Sequence, residues 1–407
     1  MSFQTFQFHP AVAAGVTAAG YSAPTPIQSR AIPPIKAGKD VIGLAQTGTG
    51  KTAAFVLPIL NRLISGKRGT TRALIVAPTR ELAEQIHEAI LAHGKKTGLQ
   101  SLAIYGGVAI GPQIRSAKKA DIIVACPGRL LDHMGRHTVD LSALEVLVLD
   151  EADHMFDMGF LPDIRRILKQ IPAKRQTLLF SATMPPEIKQ LAGQSLKNPD
   201  TVQVGITAPA DTVSHALYPV DQGRKTPLLL RLLRQTRTDS VLVFTRTKHR
   251  AKRLGEQLSR AGYKTASLQG NLSQNRRQSA INGFRDGTYQ ILVATDIAAR
   301  GIDIANVSHV INYDIPNTPD AYIHRIGRTG RAAHTGEAFT LVTEEDKQMV
   351  RAIDHVIGTK VERRTLPDFD YEAGAAKADP NQGVSKPIFN KPGRNAVPGK
   401  KRGPRGQ

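Results

Sequence analysis

The chain has one cysteine, no tryptophan and few aromatics in its 407 residues. A lone thiol, Cys126, excludes an internal disulfide framework and suits a reducing compartment. With aromatics at 5% and apolar residues at 41%, the cores this chain can build are largely aliphatic. Long hydrophobic runs are missing too: nothing approaches the roughly 18 to 20 apolar residues that cross a bilayer. The opening "MSFQTFQFHP" carries no Lys or Arg, so no secretory leader or membrane anchor is expected, and a cytoplasmic setting is. The twelve histidines show no ligand spacing and none pairs with a cysteine, which speaks against a structural metal. Acidic residues are in deficit: 34 Asp and Glu against 55 Lys and Arg leave a net charge of +21. Such an excess attracts polyanions, nucleic acid ahead of an anionic membrane surface.

The length suits two domains of about 150 to 200 residues each. Short Val/Ile/Leu runs at 40–45, 73–78, 121–127, 145–150 and 177–183 alternate with helical patterns. One such pattern runs from Glu81 to Lys95, with Leu82, Ile86, Ala89, Ile90 and His93 on one face. Near-continuous apolar strands are covered on both sides, so the reading is a mostly parallel sheet built from βαβ units. The alternation lapses between 204 and 225, where two prolines and no period mark a junction. A second series follows at 240–247, 265–270, 290–296, 309–314 and 337–343. The fold class expected is α/β, two tandem domains of this kind. Residues 377–407 hold five Gly, five Pro, eight Lys or Arg and one Asp. A tail so basic and poor in apolar residues is expected to be disordered and to touch RNA weakly.

The stretch "GLAQTGTGKTAAFVLP" (43–58) reads as strand, small-residue loop and helix. Small residues let backbone N–H groups turn inward around phosphate, and the helix N-terminus adds a favourable dipole. Ala45 stands where the common phosphate-loop pattern starts with Gly; Lys51 is placed to reach the β and γ phosphates and Thr52 to help hold Mg²⁺. Hydrolysis also needs a carboxylate at a neighbouring strand tip and a base for water. Asp150 and Glu151 follow four apolar residues in "VLVLDEADHMFDMGF" and supply both. His154 reads as a surface or interdomain residue. In "HRIGRTGR" (324–331), Arg325, Arg328 and Arg331 are spaced by three, so that one face could aim cations at a γ-phosphate across a cleft.

Together these segments closely resemble the DEAD-box RNA helicases of superfamily 2, and the sequence "DEAD" stands at 150–153. "GYSAPTPIQ" (20–28) is similar to the family's Q motif, "AQTGTGKT" (45–52) to motif I and "PTRELA" (78–83) to motif Ia. "GG" (106–107) and "PGR" (127–129) correspond to the Ib region, "SAT" (181–183) to motif III and "VFTRTK" (243–248) to motif IV. "QNRR" (274–277) fits motif IVa, "ATDIAARGID" (294–303) motif V and "HRIGRTGR" motif VI.

The resemblance implies two RecA-like domains, ATP and Mg²⁺ as cofactors, and RNA bound through its backbone without sequence preference. It implies a nucleotide site of Gln28 on the adenine edge, Phe3 stacking on adenine (Phe6 and Phe8 lie close enough to substitute), and the loop Ala45, Gln46, Thr47, Gly48, Thr49, Gly50, Lys51 and Thr52. Asp303 is implied on the ribose, Thr52 and Asp150 on Mg²⁺, Glu151 on the attacking water, and Arg328 and Arg331 on the γ-phosphate. Asp153, Ser181, Thr183 and His324 are implied to couple hydrolysis to strand separation. Thr79, Arg80, Gly107, Arg129, Gln274, Arg277 and Thr295 are implied to line the RNA track. One departure is Cys126, where the family usually has Thr; a thiol is a weak hydrogen-bond partner.

The implied domains are a Q-motif region at 1–30, an ATP-binding domain at 31–205, a linker at 206–218, a C-terminal helicase domain at 219–360 and a tail at 361–407. Among the family, the short tail is similar to that of the small bacterial RhlE-type members, which implies ribosome assembly or RNA turnover and partners among ribosomal-precursor or RNA-degradation proteins. Two other readings stay open: an ATP-gated RNA clamp, and an RNA chaperone driven by the basic tail.

Overall fold

The computed structural model describes residues 2–46, 48–204, 213–236, 239–299, 304, 307–330 and 336–372, with backbone alone at 274 and 297. The first sheet contains β1 (Val41–Leu44), β2 (Ala73–Val76), β3 (Ser101–Ile104), β4 (Ile122–Ala125), β5 (Val146–Leu149), β6 (Gln176–Ser181) and β7 (Asp200–Gln203). Its order is β3-β4-β2-β5-β6-β1-β7, all parallel. The second sheet contains β8 (Val213–Pro219), β9 (Val241–Thr245), β10 (Thr265–Leu268), β11 (Ile291–Thr295), β12 (His309–Asn312), β13 (Gly336–Val342) and β14 (Glu362–Arg363). Its order is β10-β11-β9-β12-β13-β8-β14, again parallel. The two tandem α/β domains of the sequence reading are therefore present.

Alternation along a strand shows why the central runs are apolar throughout. In β5, Val146 and Val148 join one core with Phe55, Leu60 and Ile86, while Leu147 and Leu149 join the opposite core with Ile164 and Leu191. Helices cover both faces, so neither set of side chains reaches water. The second domain has its own core, around Leu242, Leu292, Val310 and Tyr322.

Three expected boundaries move. Residues 1–30 are no separate region, since Phe3, Phe6, Val12, Val16 and Ile27 belong to the first domain's core. The linker expected at 206–218 contains most of β8, which pairs with β13 and β14 and is integral to the second sheet. The second domain also runs past 360, because β14 adds a strand at 362–363 and Val361 is buried. The tail from 373 onward lies outside the described residues. Among the described residues, no helix is long and apolar enough to cross a membrane, and no group of three His, Cys, Asp or Glu could hold a metal.

Candidate active site and RNA-facing surface

All seven strands of the first sheet point the same way, so the segments leaving their C-terminal ends share one edge, where α/β folds bind ligands. β6 lies between β1 and β5 and links the loop to the acids: Ala45 N donates to Ser181 O at 3.0 Å, and Asp153 N to Ser181 Oγ at 3.2 Å.

The loop turns tightly because Gly48 and Gly50 adopt φ of +82° and +94°, a region that L side chains rarely enter. A Cβ on Gly50 would also fall 2.5 Å from Gln28 Nε2. Lys51 starts the helix Lys51–Leu63, and its buried Nζ donates to Ala45 O at 2.9 Å. Thr49 Oγ1 donates to Gln46 O at 2.7 Å, and Thr52 sits in the same first helical turn. Gln28 braces this loop: its Nε2 donates to Gly50 O at 3.1 Å and its Oε1 accepts from Thr25 N at 2.9 Å. Phe3 is buried, stacked on Tyr21 at 5.8 Å and edge-on to Phe6. A cleft of about 520 Å³ lies beside Ala45 and Gln46, bounded by Thr183, Gln203 and Asp320. Thr47 is outside the described residues.

The acids follow β5. Asp150 accepts from Glu151 N at 3.0 Å, and burial pushes its pKa up to about 7; Lys51 opposes that shift, and the Glu151 and Asp153 charges add to it. Glu151 sits in the left-handed region at φ +51°, which costs a non-glycine residue on the order of 1 kcal/mol or more and marks stored local strain. Its Oε2 lies 2.7 Å from His154 Nδ1. Burial would raise its pKa, but His154, Lys51 and Arg328 outweigh burial and hold it down at about 2. Asp153 Oδ2 accepts from Ala182 N, Thr183 N and Thr183 Oγ1 at 3.1, 2.9 and 3.1 Å. Burial opposes its ionisation too, and His154, Lys51 and His324 prevail.

The second domain reaches this cluster through the helix Pro319–Ile326 and the turn after it. The His324 ring meets His154 edge-on, 6.2 Å between centroids, and burial lowers its pKa to about 4 against the pull of Asp153. Arg328 is buried and acts electrostatically on Glu151. Arg325 corrects the reading of one convergent arginine face. Its guanidinium grips Asp296 with two 2.6 Å bonds and also donates to Asn312 Oδ1 and Asp314 O. The helix ends at Ile326, so Arg325 lies within it and Arg328 in the turn beyond. Asp303 and Arg331 lie outside the described residues.

Of the residues expected along RNA, Arg80 lies against Gly107: a Cβ there would fall 2.1 Å from Arg80 Nη1, and φ is +80°. Thr79 caps the helix Arg80–Gly94, accepting from Leu82 N at 3.3 Å. Arg129 donates to Val108 O at 3.2 Å and Gln113 Oε1 at 3.3 Å. Thr295 is buried at the end of β11. Gln274 begins the helix Gln274–Arg285, its side chain outside the described set. Arg277 is placed otherwise than expected: its Nε donates to Glu81 Oε1 at 2.7 Å, a largely buried ion pair joining the two domains. Neither Glu81 nor His154 was identified from sequence as a site residue, although both stand beside residues that were.

Comparison with known proteins agrees with this geometry. The family model for "DEAD/DEAH box helicase" matches residues 25–191, and that for "Helicase conserved C-terminal domain" matches 224–333. The chain belongs to this family: it is a DEAD-box ATP-dependent RNA helicase of superfamily 2, in the class of RNA-stimulated ATPases. It is 45% identical over 374 residues to "DEAD-box ATP-dependent RNA helicase CshA" of Bacillus licheniformis, spanning 91% of this chain and 76% of that one. Among solved structures, "S. cerevisiae Dbp5 bound to RNA and ADP BeF3" superposes with a TM-score of 0.79 at 32% identity, covering 89% and 95% of the two chains. A variant of the same yeast protein bound to Nup159, Gle1, IP6 and ADP gives 0.63 at 31% identity, covering 90% and 97%.

Proposed function

We propose that this chain couples ATP hydrolysis on the first domain to local opening of short RNA duplexes or remodelling of ribonucleoproteins. One observation carries the reading: His324 and Arg328 of the second domain share a buried site with Asp150, Glu151 and Asp153 of the first. Residues 45–50, Lys51 and Thr52 receive the triphosphate, whose charge matches the inward N–H groups and the Lys51 ammonium. The adenine roles of Gln28 and Phe3, the ribose role of Asp303 and the second arginine at 331 rest on the family likeness. Gln28 has both amide ends engaged by backbone, so its part here is to fix the loop.

Asp150, a buried carboxylate within electrostatic reach of the loop's Lys51, fits an ion shared with phosphate oxygens. Asp150 and Thr52 would hold Mg²⁺, which when bound neutralises phosphate charge. Glu151, ionised at neutral pH, takes a proton from the attacking water as that oxygen bonds to the γ-phosphorus. The bond to the bridging oxygen breaks and its electron pair leaves with ADP. Arg328 and Arg331 stabilise the charge that develops. Asp153, Ser181, Thr183 and His324 relay closure between the domains, and the family likeness assigns Thr79, Arg80, Gly107, Arg129, Gln274 and Thr295 to the RNA track. If nucleotide and RNA each favour the closed pair, each raises affinity for the other. Ribosome assembly or RNA turnover in the cytoplasm, with partners from those assemblies, is supported by the family likeness alone.

The test is ATP turnover with and without RNA, run beside displacement of a short RNA duplex. The expected result is RNA-stimulated turnover and ATP-dependent opening, both reduced on the order of 10³-fold by Glu151→Gln. Equal turnover in both conditions would contradict the coupling. Slow RNA release without opening would put an ATP-gated clamp in its place. Strand annealing without ATP that vanishes on removal of 377–407 would leave a chaperone.

A further inference from the structure

We propose that His154 is a positioning residue for the hydrolytic step: it pins one oxygen of Glu151 and leaves the other free to act as base, in a geometry completed by the second domain. The inference rests on the reading of Glu151 as the group that activates water.

The geometry comes from one short helix. Ala152–Asp157 carries Glu151 at its N-cap and His154 three residues later, so both side chains lie on the same side of its first turn. The 2.7 Å contact runs from His154 Nδ1 to Glu151 Oε2, and both side chains are nearly inaccessible. An ionised carboxylate only accepts hydrogen bonds, so the proton of this contact is on Nδ1 and the imidazole donates. With Oε2 occupied, Oε1 keeps its lone pairs for the attacking water. A backbone at φ +51° fixes the Cα–Cβ direction of Glu151, and the His154 contact fixes the remaining rotation.

The far side of His154 is the second domain. A cavity of about 30 Å³, lined by His154, His324, Asp296, Arg325 and Arg328, separates the two; that is room for one water. The His324 ring edge closes on His154 at 6.2 Å. Groups charged or titratable around the imidazole are Glu151 and Asp153 on its own segment, Lys51 from the loop, and His324, Arg325, Arg328 and Asp296 opposite. A carboxylate that must face water squarely is thereby held by a side chain that is itself buttressed only while the second domain is in place. Closure reaches the base through His154.

Two variants separate this from a packing role. His154→Leu keeps the volume and removes the donor; His154→Asn keeps a donor near the position of Nδ1. We expect His154→Leu to lower RNA-stimulated kcat about 10- to 100-fold, the loss of one hydrogen bond to a charged group. KM for ATP should change less than about 3-fold, because nucleotide binding does not use the contact. His154→Asn should recover most of the lost kcat. Melting curves of both variants test folding, and RNA binding with a non-hydrolysable ATP analogue tests domain closure. Equal loss in both variants with a matching fall in melting temperature would overturn the proposal in favour of packing. An unchanged kcat in His154→Leu would also overturn it. If Glu151→Gln itself retained turnover, the base assignment would fail first, and that result is distinct from Glu151→Gln inactive with His154→Leu unaffected.

Discussion

The two sheets run in the same strand order, each reading third, fourth, second, fifth, sixth, first, seventh from its own first strand. After each first strand comes a helix that opens on a lysine, Lys51 or Lys225. After each fifth strand comes an aspartate, Asp150 or Asp314. In the second domain these charges are spent on the protein. Lys225 Nζ donates to Tyr313 O at 3.1 Å and lies 3.9 Å from Asp314, which also holds Arg250 at 2.5 Å and accepts from Arg246 N at 2.8 Å. In the first domain Lys51 bonds a loop carbonyl, and burial, joined by the Glu151 and Asp153 charges, pushes the Asp150 pKa up to about 7 against the pull of Lys51. The same topological point is a structural ion cluster when its carboxylate is compensated internally, and a place for chemistry when it is not.

Exchanging one atom at each point breaks the comparison most severely. Asp150→Asn should reduce ATP turnover by about 10³-fold, as for loss of a group that acts in the chemical step. It should leave the nucleotide-free fold as stable as before or more so. The sign follows from the raised pKa. Between about pH 4 and 7 the folded state holds a proton on Asp150 that the unfolded state releases, so native stability falls as pH rises through this window. Asparagine cannot ionise, and the variant's advantage in melting temperature should grow from pH 4 to pH 7. Asp314→Asn should do the reverse. It leaves Lys225, already lowered in pKa by burial and sustained by Asp314, without its counter-charge. The expected cost is about 3 kcal/mol, with turnover lost only as the domain unfolds. Calorimetry and steady-state turnover on both variants decide the matter. Equal destabilisation would remove the distinction.

The sequence shows this contrast unevenly. β1, β2, β4, β5, β9, β11 and β12 were legible because strands buried on both faces write continuous apolar runs. β3, β7 and β14 were not, since edge strands such as Ser101–Ile104 and Asp200–Gln203 are half exposed and carry polar residues. β8 escaped because Ser214, His215 and a closing Pro219 break its apolar run and make it look like a junction. The phosphate loop and the acids were legible from glycine and carboxylate spacing. The spacing could not show which distant neighbours each charge meets: Arg277 finds Glu81 and Arg325 finds Asp296. Those pairings depend on how two domains and several strand ends are brought together, and no local pattern encodes that.

The Arg277–Glu81 pair sharpens the comparison where the domains meet. If it is a fastener between them, Arg277→Ala should reduce the mutual enhancement of RNA and nucleotide binding by about 10-fold, within the range of common coupling energies. RNA affinity without nucleotide should change little. Measuring RNA Kd with and without a non-hydrolysable ATP analogue tests it, and the double exchange Glu81→Arg with Arg277→Glu should restore part of the coupling. An equal drop in RNA affinity under both conditions would instead return Arg277 to the RNA track.

The smallest effect concerns matched helix starts. Thr79 after β2 and Thr247 after β9 cap their helices through side-chain oxygens, accepting from Leu82 N and Arg250 N at 3.3 and 3.2 Å. Cys126 after β4 occupies the N-cap of Pro127–Gly135 with no such bond. Burial, with the Glu81 charge, pushes its thiol up to about 12, so the sulfur is neither a good cap nor a nucleophile near neutral pH. Cys126→Thr should therefore stabilise the first domain by about 0.5 to 1 kcal/mol, the usual gain of an N-cap oxygen. Alkylation of wild-type Cys126 at pH 8 should run at least about 100-fold slower in the folded chain than in urea. A thiol that labels quickly while the protein stays folded would mean that this strand end is open, and a destabilised Cys126→Thr would mean that the larger sulfur fills space the hydroxyl cannot.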